Sequence, residues 1–195
     1  MPAASADNDN NTLIPNNQRF NNGVVTNVFT VQHQAGCTND VRVNRQLQLA
    51  AEWHVKDVLN NRALDGDIGS DGSTPQDRAN AAGFRGKVTE TVAINPAMAM
   101  SSIELINRWY YDPAAFAIMS NCAANQIGVW SENSLDRTVV VAVYGEPDYP
   151  VDVSRVLPLD PAIDYDASDE LEYGNSWWAW ILRGVYPPRS LAPQN

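Results

Sequence analysis

The residues of this 195-residue chain best able to react or to hold a metal are two cysteines and two histidines. Cys37 and Cys122 stand far apart and in no metal-like spacing. In an exported protein that arrangement predicts one long-range disulfide, which would contribute on the order of 4 kcal/mol by closing a long loop. Two buried thiols are the alternative reading. His33 lies four residues before Cys37 and could share a helical face with it, as a base beside a nucleophile would; a disulfide would consume that thiol. His54 falls on the apolar side of a helical pattern, where an imidazole more often packs than ligates. No serine stands in a G-x-S-x-G elbow, and the Gly69–Ser73 loop lacks the lysine of a phosphate-binding loop. No catalytic residue and no cofactor are expected.

These residues are carried by a mixed set of elements. Val24, Val25, Val28, Phe29 and Val31 recur at helical spacing up to about Gln34, and Gly36 is a plausible stop. A longer helix is predicted from Asp40 to about Asn61, with Val43, Leu47, Ala50, Ala51, His54, Val55, Val58 and Leu59 as its apolar stripe. Residues 65–73 form a loop, since glycine and aspartate favour turns. Thr74 then caps a short helix, with Pro75 at its first position and Gly83 beyond its end.

Lys87 to Ile94 alternates with a period of two, which predicts a strand and places Glu90 on one face with Val88, Val92 and Ile94. A third helix runs from Pro96 to about Tyr111, followed by an Ala-rich turn over 114–120. Gln126–Trp130 and Thr138–Tyr144 are β-rich runs, joined as a hairpin. Helices flanking strands give an α+β class, an α-β-α sandwich.

The charge is unevenly spread. The net charge is −10, and residues 146–195 hold nine acids against three bases. Such a balance argues against nucleic acid, which needs clustered cations. No run approaches the roughly 20 apolar residues of a membrane-spanning helix. Ala4-Ser5-Ala6 before Asp7 reads as the trace of a signal-peptide cleavage site, so secretion or an extracytoplasmic cell-envelope location is expected. Residues 1–22 are read as this remnant and a polar arm, 23–146 as the globular domain, and 147–195 as an extended Pro- and acid-rich tail. Trp177, Trp178 and Trp180 in that tail form a docking cluster, because three bare indoles in water are costly. They would cover the domain itself or join an oligomer through the tail.

The segment from about Val24 to Gly145 resembles the CAP domain (cysteine-rich secretory, antigen 5 and pathogenesis-related proteins), most closely its bacterial secreted branch. Gly69-Ser-Asp-Gly-Ser-Thr-Pro-Gln-Asp-Arg-Ala-Asn-Ala-Ala-Gly-Phe is similar to the pattern G-S-D-G-S-x-P-x-D-R-x-x-x-A-G-Y. Leu47-x-Leu-Ala-Ala-Glu-Trp-His is similar to L-x-x-A-A-x-x-H-A. Glu90 in Thr-Glu-Thr-Val-Ala takes the place of the G-E-N-I-A glutamate, Glu104 and Trp109 match an E-x-x-x-x-W helix, and Ile127-Gly-Val-Trp looks like I-G-V-G.

The resemblance implies a CAP-type α-β-α sandwich with an acidic, Trp-containing C-terminal tail. In that family two histidines and two glutamates line a central cavity and in many members bind a divalent metal such as zinc. Here Asp67 and Ala115 stand where the histidines would. The cavity would keep Glu90 and Glu104, with Asp67 nearby, and would lack the imidazoles that suit zinc. Three readings follow. The first is a non-enzymatic binding module for a lipid, an envelope component or a protein partner. The second is a hydrolase using Glu90, Glu104 and Asp67 around a hard cation such as calcium or magnesium. The third is a structural subunit of an envelope assembly.

Overall fold

The computed structural model describes residues 17–96 and 100–148. The Ala4–Ala6 remnant and the tail with Trp177, Trp178 and Trp180 lie outside the described residues. The chain runs α1 (Asn17–Gln34), β1 (Arg42–Val43), α2 (Arg45–Asn60), α3 (Pro75–Ala81), β2 (Gly86–Asn95), α4 (Ser102–Tyr111), α5 (Pro113–Met119), β3 (Gln126–Asn133) and β4 (Thr138–Pro147). The strands form one sheet in the order β1-β3-β4-β2, with β1 parallel to β3 and the other pairs antiparallel.

Alternation along β4 divides the core in two. Val139, Val141 and Val143 face Leu47, Ala51, Val55 and Val58 of α2, Ala79 of α3 and Phe84. Val140, Ala142 and Tyr144 face the layer of α1, α4 and α5. A strand covered on both faces has no polar side, which is why β4 reads as a nearly unbroken apolar run. The α-β-α sandwich follows from this single strand.

Gly128 on β3 lets the sheet approach α2 closely, since a Cβ there would fall onto backbone atoms of Leu47 and Gln48. Arg137, buried in the β3–β4 turn, donates to the carbonyls of Val58 and Leu59 and so caps the C-terminal turn of α2.

Three boundaries differ from the sequence patterns. Helix α1 begins at Asn17, inside the expected arm. Asn17 donates to the Ser131 carbonyl at 3.0 Å and accepts from Asn133 at 2.6 Å, while Asn21 accepts from Ser131 Oγ at 2.7 Å; tertiary bonds to the end of β3 offset a poor helix propensity. The helix expected from Asp40 begins only at Arg45, because Arg42 and Val43 pair with Gln126 and Ile127. Asn44 is its N-cap, accepting from Gln46 N at 2.8 Å and Leu47 N at 3.2 Å. The helix expected from Pro96 begins at Ser102, capped by Ser101, and the Ala-rich turn is a helix of its own, with Asp112 as cap.

The disulfide is formed. Cys37 follows α1, Cys122 follows α5, and the bond joins them across 85 residues with a Cα–Cα distance of 5.1 Å.

Candidate functional site

Among the described residues, Glu90 is the acid that the fold takes out of solvent. It lies on the α2/α3 face of β2, as its alternation with Val88, Val92 and Ile94 predicts, and is 7% exposed. A buried carboxylate needs compensating donors. His54 of α2 supplies one: its Nδ1 lies 2.6 Å from Glu90 Oε1. Arg78 of α3 supplies the other, with Nη2 3.0 Å from Oε1 and 3.2 Å from Oε2. His54 Nδ1 and Arg78 Nη2 are also 3.1 Å apart. Guanidinium has only donors to offer, so Nδ1–H donates to Glu90 and both neighbours share the carboxylate, while His54 Nε2 and Arg78 Nε are buried without a partner.

Arg78 is held in place by local sequence. Thr74 and Asp77 form a reciprocal capping box that fixes the first turn of α3, with Pro75 at its first position. From that turn the guanidinium enters the core and also donates to the carbonyls of Asp67, at 2.7 Å, and Ser73, at 2.8 Å. One side chain thus ties the 65–73 loop to Glu90. The rest of the loop is tied to α2 through Asp57, which accepts from Ser70 N at 2.7 Å and Ser70 Oγ at 2.6 Å. Partial burial pushes the Asp57 carboxyl up, but the bonds from Ser70 and Asn61 outweigh it and hold the group below its ordinary range. Bonds from Ser73 hold Asp71 low, and bonds from Thr74 hold Asp77 low.

The remaining family positions lie elsewhere. Asp67 is exposed, and its contribution to the cluster is a backbone carbonyl. Glu104 is exposed in the first turn of α4, where its backbone N–H donates to Ser101 Oγ at 3.1 Å. Ala115 is buried in α5 within the α1/α4/α5 core. Since α4 and α5 pack on the face of the sheet opposite Glu90, the structure does not bring Glu90 and Glu104 into one hollow. The expected acidic half-site is replaced by an acid with two basic partners. Among the described residues no three His, Cys, Asp or Glu side chains converge as metal ligands, and both oxygens of Glu90 are occupied.

Sequence reasoning missed the partnership of His54 and Arg78 with Glu90. The available signal was the acid itself: an acid on an otherwise apolar strand face must find cations. His54 was the imidazole on the facing helix stripe, and Arg78 stood in the D-R pair of the matched motif. Cys37 is in the disulfide, so the His33–Cys37 pair is not a nucleophile site; His33 instead lies 3.4 Å from Asp40.

The fold is similar to that of solved SCP-domain proteins. An outer surface protein of Borrelia burgdorferi superposes with a TM-score of 0.56 at 16% identity, over 64% of this chain and 90% of its own. A cysteine-rich secretory protein of Staphylococcus aureus gives 0.52 at 11% identity, and an extracellular SCP-domain protein of Bacillus anthracis gives 0.52 at 14%. These cover 67% and 65% of this chain, which itself spans only 39% and 41% of their lengths. No family model matches the sequence, and no curated protein matches it at the level of sequence. Among the described residues no helix is long and apolar enough to cross a membrane.

Proposed function

We propose that this chain is an extracytoplasmic, non-enzymatic CAP-fold module that presents its surface to a lipid, an envelope component or a protein partner. The domain of residues 23–146 acts as the scaffold, and the tail of residues 147–195 as its appendage. The observation that carries this reading is the state of Glu90. Its carboxylate is engaged by His54 and Arg78, which stabilise the fold and anchor a loop, and it is buried away from any substrate in solvent. The disulfide between Cys37 and Cys122 supports an oxidising compartment.

Two measurements test it. Metal analysis of the native protein is expected to find no stoichiometric zinc, calcium or magnesium. A tight 1:1 complex lost in Glu90→Gln would establish the metalloprotein reading instead. Native mass spectrometry of protein taken from its source envelope is expected to retain a bound lipid or protein; a bare monomer with two alkylatable thiols would contradict both the module and its location.

A further inference from the structure

We propose that the outward face of α2 is covered by the chain's own C-terminal tail. In this arrangement Trp177, Trp178 and Trp180 lie against Leu49 and Trp53, and the acidic run before them faces Arg42 and Arg45. The inference stands apart from the functional reading above and needs no ligand.

The receiving surface is small but specific. Among the described residues the exposed large apolar side chains are Leu49, Trp53, Ile68, Tyr111 and Leu135. Leu49 and Trp53 are 37% and 40% exposed and stand four apart on one helix, so they form a continuous stripe rather than isolated points. Arg45, four residues before Leu49, extends the same face, and Arg42 lies just upstream. Both arginines are exposed, neither pairs with an acid among the described residues, and the first turn of α2 contains no acid. The surface is an apolar stripe with a cationic end.

The tail has the complementary order. Asp164, Asp166, Asp169, Glu170 and Glu172 form a run without a base, and the three tryptophans follow within eight residues. The chain also leaves the domain near this helix. Gly145 lies close against the side chains of Leu47 and Phe84, and Asp148 N donates to the Arg85 carbonyl at 3.3 Å. The 28 residues from 149 to 176 can span on the order of 90 Å when extended, so reach is not limiting. A tether of this kind gives an effective concentration near the millimolar range, which makes a modest stripe sufficient. A second copy of the chain would need the same contacts without that advantage.

Limited trypsinolysis of the full chain at Arg183–Gly184, followed by mass, tests the proposal. Cleavage should be slow in the native protein and about tenfold faster in Leu49→Glu/Trp53→Glu, because the rate follows the undocked population. Arg42→Glu/Arg45→Glu should accelerate it as well, and 0.5 M salt should do the same to the native chain by screening the acidic run. Circular dichroism establishes that each variant is folded; should the Leu49/Trp53 variant fail that check, the arginine variant carries the test. Equal cleavage rates in native and folded variant proteins would overturn the proposal. Protection that disappears on dilution would overturn it too, by placing a second copy on the stripe.

Discussion

His54 Nδ1 and Glu90 Oε1 lie 2.6 Å apart with both side chains wholly out of solvent. The contact joins α2 to β2 across the apolar layer between helices and sheet, and Arg78 adds α3 to the same carboxylate. The position that the sequence resemblance assigns to a metal-binding set is a polar rivet among three elements. Its chemistry is internal: every strong bond it makes ends on the same polypeptide.

The disulfide should matter more than any surface contact. A bond across 85 residues restricts the unfolded chain by about 4–5 kcal/mol in the chain-entropy description. Cys37→Ser/Cys122→Ser is therefore expected to lower the unfolding free energy from urea titration by that amount, while circular dichroism of the folded state stays the same. A shift below about 1 kcal/mol would show that the reduced chain is already restricted.

Gly128 is expected to tolerate no side chain. Because a Cβ would meet the backbone of Leu47 and Gln48, relief requires α2 to move away from β3 as a unit. Gly128→Ala should destabilise by about 3 kcal/mol or more, or fail to fold. Gly66→Ala, at a position with open space around it, is the control and should change little. Equal stability of the two variants would contradict the close approach.

Acid should loosen the segment between α2 and α3. Asp57, Asp71 and Asp77 are all held below their ordinary range in the folded protein. A depressed carboxyl contributes stability that is complete above its unfolded pKa, near 4, and is lost as the pH falls through its lower folded value. Urea midpoints should be level from neutral pH to about pH 5 and fall below pH 4. Asp57→Asn should shorten that acid limb, since it removes the acceptor charge shared by Ser70 and Asn61. A midpoint that rises on acidification would contradict the sign.

Much of the fold was legible because local signals agreed with one another. The period of two along β2, the Thr74-Pro75 cap and the stripe of α2 each specified an element that the structure contains. The helical start at Asn17 was not legible, because its support comes from Ser131 and Asn133, more than a hundred residues away. Strand β1 is two residues long, too short for any period. The site was legible by halves. The burial of Glu90 follows from its strand face, whereas its partners depend on how α2 and α3 pack. A motif match at Glu104 says nothing of which face of the sheet its helix covers.

The shared bonds of Glu90 and Arg78 are tested most directly by a double-mutant cycle of Glu90→Gln and Arg78→Met in urea unfolding. Each single change leaves a buried group without its counter-charge and should cost about 3–5 kcal/mol. The double variant should cost at least about 1.5 kcal/mol less than the two together. Strictly additive losses would mean that the two side chains do not hold one another in the folded protein.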